Sequence, residues 1–330
     1  MDLEVVGKHL ERSRRANHWT HFGPVAADFE RAVATFVDLD PGLRVVGCSN
    51  ATLALHALAE MHATRLGRDL RWAVCSFGYY STVDGPLRSS ITVDCDEGAM
   101  LDLDRVDPDA IDGLIVTNIF GQHEALGAYR AYAKKHDKIL LVDAAVALGS
   151  HPHGPDEAVS FHHTKPWGFG EGGCAIVSAE DEELFRSLII FGHAPGTKIN
   201  RRATNGKLSD PSAAFLLMRL AQMRRLGAAY RVQYERMLEL GRSAGLTPVP
   251  GGETHPGIPA SVPLLLPAEG PWEHELVPFR RYYHPLSEDA PSAWAIYRRI
   301  VNVPCHVEMQ YVSDADILTA LGELVARSGS

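Results

Sequence analysis

Short apolar stretches alternate with amphipathic stretches from about residue 44 onwards, and this alternation constrains the fold more than any other feature of the chain. The stretches predicted to be strands are 44–48, 71–75, 90–94, 113–117, 138–143, 158–161 and 174–177. The clearest predicted helices are 52–66, 126–136 and 211–241. Strands that alternate with helices at this spacing indicate a mostly parallel sheet with helices on both faces. The sequence therefore predicts an α/β fold.

The pattern changes near residue 240. A Pro- and Gly-rich stretch, 248–271, interrupts the alternation, and the region after it is shorter and ends in a predicted helix over 314–326. We therefore predict a large domain over residues 1–240, which includes the N-terminal segment, and a small C-terminal α+β domain over residues 241–330.

Charge and hydropathy restrict the kinds of partner. The 330 residues carry a formal net charge of -9 at pH 7, whereas nucleic acids and anionic membranes select clustered Lys and Arg. No apolar run approaches the roughly 20 residues that cross a bilayer. We expect no nucleic-acid or membrane partner. A small anionic ligand remains possible, because one site can be positive on an acidic protein.

The cysteines and the N-terminus indicate the compartment. The five cysteines include no pair with CxxC spacing, and most lie in apolar surroundings, as is typical of reduced core thiols. The segment up to Arg15 is charged and helical in pattern, unlike a signal peptide. We expect a cytoplasmic protein and predict no metal site.

Lys165 is the residue that most indicates chemistry. It follows the apolar stretch 158–161 and precedes the glycine-rich segment 170–173. This position places its amine at the edge of a core, where desolvation lowers the pKa and frees the lone pair. Such a lysine can hold an aldehyde cofactor as a Schiff base; the alternative is an ordinary solvated lysine.

Other polar groups follow predicted strands, where sheets of this kind bind ligands. Asp143 ends an apolar strand, and a buried acid is costly unless it meets a cation or donors. A protonated pyridine nitrogen would be such a cation; a helix cap or an ion pair is the alternative. In the segment 49–52, free N–H groups and the Thr52 hydroxyl could cradle a phosphate, or Ser49 or Asn50 could simply cap the helix.

Two further segments have weaker interpretations. Tyr79 and Tyr80 would point to opposite sides of an extended segment, so that one could stack on a flat ring while the other packs in the core. Packing of both in the core or an interface is the alternative. The segment 204–210 reads as a polar turn and cap before the long helix.

In order along the chain, these segments resemble the DegT/DnrJ/EryC1/StrS family of pyridoxal-phosphate-dependent sugar aminotransferases. The segments that carry the resemblance are 20–24, 49–56, 118–122, 140–149, 160–165, 170–173, 205–210 and 282–286. They cover most of the chain in collinear order. The combination is specific, although no single segment is.

The resemblance implies a homodimer of the aspartate-aminotransferase fold type (fold type I of the pyridoxal 5'-phosphate enzymes) with shared active sites. Lys165 would hold the cofactor and later move a proton, Asp143 would pair with the pyridinium nitrogen, and Tyr79 would stack on the ring. The implied phosphate ligands are Ala51, Thr52, Ser160 and, from the other subunit, Asn205. The implied substrate-facing residues are His162, Tyr283 and His284.

The resemblance also implies the reaction: transfer of an amino group from an amino acid, expected to be L-glutamate, to a keto group on a nucleotide-linked deoxysugar in amino-sugar biosynthesis or secondary metabolism. Val146 departs from the family, which usually has Gln or His beside the cofactor's ring hydroxyl, and the segment 166–169 is bulkier than usual. Three alternatives stay open: an aminotransferase for a cyclitol or other non-sugar ketone, a sugar dehydratase, and a non-catalytic cofactor-binding regulator. The dehydratases of the family have histidine in place of Lys165.

Overall fold

The computed structural model describes residues 2–124, 126–192 and 200–329. Its helices are α1 (Leu3–Ala16), α2 (Pro24–Phe36), α3 (Ala51–Leu66), α4 (Gly127–His136), α5 (Glu182–Leu188), α6 (Asp210–Ser243), α7 (Pro291–Tyr297) and α8 (Asp314–Ala326). Its strands are β1 (Leu43–Cys48), β2 (Trp72–Cys75), β3 (Ile91–Val93), β4 (Gly113–Thr117), β5 (Ile139–Asp143), β6 (Glu157–Ser160), β7 (Gly173–Ser178), β8 (Thr247–Pro248), β9 (Ser261–Leu265) and β10 (Ile300–Pro304).

Seven strands form one sheet in the order β1-β7-β6-β5-β4-β2-β3. Strand β7 is antiparallel to β1 and β6, and the other neighbours are parallel. Successive strand residues enter different cores: Val45 and Val142 lie in one, while Val46 and Leu141 lie in the other. This alternation means that helices cover both faces, because each face needs its own apolar layer. The predicted α/β fold with a mostly parallel sheet is confirmed.

The C-terminal region has a separate core. Strands β10, β9 and β8 form a small antiparallel sheet in that order, which packs with α8 and the C-terminal half of α6. The central strand β9 lies inside the Pro- and Gly-rich stretch that we expected to interrupt the pattern. Pro263 has no N–H to donate, and the carbonyl of Val249 on the neighbouring segment accepts from the Gly252 N–H at 2.8 Å instead; the Pro263 carbonyl still accepts from the Val249 N–H at 3.1 Å. Helix α6 continues past residue 240 to Ser243, and the domain boundary stays a prediction.

Asp210 connects the N-terminal helices to the start of α6. It is fully buried at the start of α6. Its carboxylate accepts hydrogen bonds from the N–H groups of Val25 and Ala26, at 3.1 and 2.9 Å, and from the Ser13 hydroxyl. Part of the segment 204–210 therefore caps α2, an element that the sequence did not predict, as well as beginning α6.

The five cysteines are buried and free of disulfides. No described helix is long and apolar enough to cross a membrane.

Candidate active site

Strands β4, β5 and β6 end at one edge of the sheet. Thr117 lies opposite Asp143 and Asp143 lies opposite Ala158 in the parallel registers, so the polar residues at the ends of these strands are neighbours. Asp143 is 4% exposed. This is the edge at which parallel sheets bind ligands.

Asp143 has few partners for a buried carboxylate. The Ala145 N–H donates to its Oδ1 at 3.0 Å, and the side chain of Thr117 hydrogen-bonds to it. Burial raises the pKa of Asp143, because these two hydrogen bonds and the nearby Lys165 charge only partly offset the loss of water. A cationic ligand at this carboxylate would therefore be strongly favoured.

Lys165 lies in a loop that closes on itself. Its N–H donates to the carbonyl of His162, and its carbonyl accepts from the N–H of Gly168, each at 2.9 Å. The loop returns to the sheet through the N–H of Phe169, which donates to the Phe161 carbonyl at 3.1 Å. A Cβ at Gly168 would collide with the carbonyls of Phe161 and His162, so this turn requires glycine.

The amine of Lys165 is partly withdrawn from water. Burial lowers the pKa of Lys165, and the nearby Asp143 carboxylate opposes this shift. The lysine and the aspartate are thus within electrostatic range of each other at the strand ends. The structure thus brings two of the predicted site residues close to each other.

The bulky segment 166–169 does not point into this site. Trp167 is fully buried, and its indole Nε1 donates to the carbonyl of Ser160 at 2.7 Å. Phe169 stacks on Phe215 of α6, with ring centroids 5.2 Å apart and planes 9° from parallel. Trp167 and Phe169 therefore pack the lysine loop against Ser160 and helix α6.

The start of α3 offers donors for an anion. The Asn50 side chain caps the helix by accepting from the Leu53 N–H at 2.9 Å, as the capping alternative predicted. The N–H groups of Ala51 and Thr52 find no acceptor among the described residues, and the buried Ser49 Oγ is unpartnered there too. A Cβ at Gly173 would meet the backbone of Ala51, so only glycine lets β7 approach this helix end.

Aromatic side chains form one wall of the site. Tyr79 is 53% exposed, and its ring lies edge-on to that of Tyr283 at 6.3 Å. Burial raises the pKa of the Tyr283 hydroxyl, and the Asp143 charge adds to the effect, which places that hydroxyl near Asp143. Tyr80 is 56% exposed, so neither tyrosine packs in the core of the described chain. The segment Tyr80–Thr82 is a 3-10 helix, so the two rings do not alternate as in a strand, and Phe77 fills the core instead.

The remaining predicted residues lie around this centre. The Ser160 Oγ accepts from the His162 N–H at 3.2 Å, and the His162 Nδ1 is 2.9 Å from the Thr164 Oγ1. Asn205 is exposed and accepts a hydrogen bond from the Lys207 amine. His284 packs edge-on against Trp294 and Tyr297. Among the described residues, no hydrogen bond, ion pair or ring contact joins it to Lys165 or Asp143.

Sequence reasoning missed Thr117 and Phe120. Thr117 could have been found, since it is a polar residue at the end of an apolar strand, as Asp143 is. Phe120 has a positive φ of 55°, and its ring lies 5.7 Å from that of Tyr283. Nothing local in the sequence indicated that backbone conformation. Val146 is buried, and its valine side chain offers no hydrogen-bonding group at this position.

Pyridoxal phosphate fits the residues present. Its phosphate matches the unpartnered donors at Ser49, Ala51 and Thr52, and its protonated ring nitrogen matches the under-partnered carboxylate of Asp143.

Comparison with known proteins gives one family. The model of the DegT/DnrJ/EryC1/StrS aminotransferase family matches residues 4–250. Over 241 residues the chain is 30% identical to Protein Rv3402c of Mycobacterium tuberculosis. This match covers 66% of this chain and 58% of that protein. Over 237 residues it is 25% identical to the dTDP-4-amino-4,6-dideoxy-D-glucose transaminase of Shigella dysenteriae, which covers 67% of this chain and 62% of that enzyme. The chain thus matches less than two thirds of the length of these curated relatives.

The fold also matches a solved structure. Helicobacter pylori PseC, an aminotransferase involved in the biosynthesis of pseudoaminic acid, superposes with a TM-score of 0.82 at 16% identity, over 99% of this chain and 97% of that one.

Proposed function

The chain belongs to the DegT/DnrJ/EryC1/StrS aminotransferase family, and from this premise we propose that it is a transaminase that carries pyridoxal 5'-phosphate on Lys165. The observation that carries the proposal is the pairing of a partly buried lysine amine with the buried carboxylate of Asp143 at the ligand-binding edge of the sheet.

When bound, pyridoxal phosphate supplies an aldehyde for covalent attachment and a ring that withdraws electrons from the substrate carbon. Lys165 provides the amine for attachment, because burial keeps a larger fraction of it neutral. When it is not attached to the cofactor, the same amine would be placed to take a proton from the substrate carbon and to return it one position away. A positioned base of this kind contributes roughly 10²–10⁴-fold to the rate.

Asp143 keeps the ring nitrogen protonated. Its carboxylate is poorly compensated in the protein alone, so pairing with the pyridinium stabilises both charges. The exposed ring of Tyr79 would stack on the cofactor. Ala51, Thr52 and Ser160 would bind the phosphate, and the exposed Asn205 would reach the phosphate of the partner subunit in a homodimer. His162, Tyr283 and His284 would face the substrates.

We further propose L-glutamate as the amino donor and a keto group on a nucleotide-linked deoxysugar as the acceptor, in cytoplasmic amino-sugar biosynthesis. The name of the Shigella dysenteriae relative supports this substrate class.

The test is covalent trapping. Purified protein loaded with pyridoxal phosphate is reduced with borohydride, and the modified peptide is identified by mass spectrometry. We expect the label on Lys165. Lys165→Ala should lose both the visible absorbance and all transamination, whereas Lys134→Ala, at an exposed position on α4, should behave as the parent does. A label elsewhere, or turnover by Lys165→Ala, would refute the proposal.

The substrates are tested on the same protein. Glutamate should convert the bound cofactor to its amine form, and a panel of nucleotide-linked keto-sugars, cyclitol ketones and simple ketones should show which acceptor restores it. Cofactor trapping without any response to amino donors would favour the non-catalytic regulator, and restoration by a cyclitol ketone alone would replace the sugar assignment.

A further inference from the structure

The lysine loop is tied to the rest of the molecule at a residue next to Lys165. Pro166 follows the lysine directly and has no N–H, so its carbonyl is the only main-chain polar group that it offers. That carbonyl accepts a hydrogen bond from the Nε of Arg219, on helix α6, at 2.7 Å. Because the carbonyl of Pro166 is one residue from the lysine, any movement of this hydrogen bond is passed to the Lys165 backbone.

Arg219 is unusual for a partly buried guanidinium. Among the described residues no carboxylate lies within 4.0 Å of it. Its other donors reach the hydroxyl of Tyr230 at 3.2 Å and the side-chain oxygen of Gln222 at 3.4 Å. Taking a cation out of water without an anionic partner is costly. The hydrogen bond from the charged guanidinium to the lysine loop offsets part of this cost, because a charge-assisted hydrogen bond is stronger than a neutral one.

The anchor of Arg219 is itself rigid. Tyr230 is buried and lies on the same helix, eleven residues further along. The Arg219 side chain is thus fixed at one end by its helix and at the tip by Tyr230. A donor held in this way keeps its acceptor at a fixed position.

We infer that Arg219 is a positioning residue for Lys165, which it holds in reacting geometry through the carbonyl of Pro166. The inference rests on the proposed function, since it concerns the reaction of this lysine. The charged and titratable groups that face the Lys165 amine are Asp143 on β5 and His162 in its own loop. Arg219 is not among them, so it acts on Lys165 through its hydrogen bond to the Pro166 carbonyl and not through a direct interaction with the amine.

The first test separates rate from binding. Arg219→Gln should lower kcat roughly 10- to 100-fold and change the KM for the amino donor less than about threefold, because misplacement of a catalytic group affects the transition state more than the ground state. Tyr230→Phe, which loses only the anchor, should have a smaller effect of the same kind. Arg219→Lys, which keeps a cationic donor, should recover part of the rate. Arg224→Gln, at an exposed position on the same helix, is the matched control and should match the parent.

The second test needs neither turnover nor the cofactor. The cofactor-free protein is methylated with formaldehyde and cyanoborohydride at a series of pH values, and the Lys165 peptide is quantified by mass spectrometry. In the parent, Lys165 should react at lower pH than the exposed Lys134, because burial lowers its pKa. In Arg219→Gln the profile of Lys165 should move towards that of Lys134, as the loop opens to water.

The outcomes distinguish this inference from the proposed function. If the parent does not trap the cofactor on Lys165, the proposed function fails. If the parent traps it while a folded Arg219→Gln keeps both the parental kcat and the parental methylation profile, only the role of Arg219 is wrong. Should Arg219→Gln not fold, as judged by thermal unfolding, the same two measurements on Tyr230→Phe decide.

Discussion

Two buried carboxylates lie on neighbouring strands of the sheet and differ in almost every other respect. Asp143 ends β5 and Glu157 begins β6, one register position apart: Val142 lies opposite Glu157, and Asp143 lies opposite Ala158. Both side chains are shielded from water. Yet the pKa of Asp143 is raised, and that of Glu157 is lowered to about 2.

The difference lies in the donors around each group. Burial opposes the ionisation of Glu157, but hydrogen bonds from His151 and His153 outweigh it. Their ring nitrogens lie 3.1 and 2.7 Å from its Oε2. The guanidinium of Arg130, at 3.1 Å, and the N–H of Gly154, at 2.8 Å, donate to Oε1.

The outer nitrogens of these histidines face donors as well. The Nδ1 of His151 meets the amide Nδ2 of Asn118, and the Nε2 of His153 accepts from the Gly149 N–H, each at 3.0 Å. The outer nitrogens must therefore be acceptors, and the protons lie on the side of Glu157. A metal-bound histidine instead donates its outer N–H to an acceptor. As arranged, His151, His153 and Glu157 are a structural hydrogen-bonded cluster, although their ligand atoms lie within 4.8 Å of one another.

The comparison shows how one sheet places a structural and a reactive carboxylate side by side. Glu157 has all its acceptor positions filled by the chain, so it stabilises the fold. Asp143 has two hydrogen bonds and the nearby charge of Lys165, which forms no salt bridge with it, so it is left to be completed by a ligand. The count of partners, more than the burial, separates the two roles.

The largest expected effect is on stability at the saturated carboxylate. Glu157→Gln should lower the free energy of unfolding by about 3–5 kcal/mol, the usual result of removing one partner of a buried charged network. Urea unfolding measures this. The exposed pair of Glu308 and His306, at 3.0 Å, supplies the control: Glu308→Gln should cost less than about 1 kcal/mol.

The contribution of Glu157 to the free energy of unfolding should also depend on pH. The folded pKa of Glu157 is lowered from 4.5 to about 2, so its contribution is complete above pH 4.5 and is lost as the pH falls towards 2. That contribution is about 3 kcal/mol. The parent should therefore lose more stability than Glu157→Gln over this interval. Equal slopes for the two proteins would show that Glu157 is not held as an ion.

The next effect is on turnover at the under-partnered carboxylate. Asp143→Asn should lower kcat roughly 10²–10³-fold, as loss of one preorganised electrostatic partner does. The thermal stability of the cofactor-free protein should be unchanged or higher, because ionisation of Asp143 is disfavoured in the folded chain. Steady-state kinetics and thermal unfolding, run beside Glu157→Gln, measure both. The comparison breaks if Asp143→Asn unfolds more easily or turns over at the parental rate.

The sequence analysis identified one carboxylate and not the other. Asp143 was found because a charged residue at the end of an apolar strand stands out in a linear pattern, and the same holds for Lys165 before its glycines. Three partners of Glu157, which are His151, His153 and Gly154, lie within six residues of it, so their spacing was a local signal that the sequence analysis did not use. The fourth partner, Arg130, is 27 residues away, and a contact of this range depends on how the elements pack and leaves no local pattern.

The same limit explains the other differences. Asp210 caps α2 across 185 residues, and Arg219 reaches Pro166 across 53. The sequence showed Asp210 only as part of a polar turn and Arg219 only as part of a long helix, so neither contact could be predicted from it. The pattern of strands and helices was predicted well, because it depends on local periodicity. The exposure of Tyr80 was not, because it depends on a single 3-10 turn.

The smallest expected effect comes from removing one hydrogen-bond partner of Asp143, which makes this carboxylate still less like Glu157. Thr117→Val keeps the shape of the side chain and removes one of the two hydrogen bonds to Asp143. Since that hydrogen bond favours the charged form, its loss should raise the pKa of Asp143 further and move the acid limb of kcat/KM to higher pH. The loss of turnover at neutral pH should stay below about tenfold, because one hydrogen bond is worth about 1 kcal/mol net. A pH–rate profile that does not move would mean that the bound cofactor alone sets the ionisation of Asp143, and the number of protein donors would then not explain its reactivity.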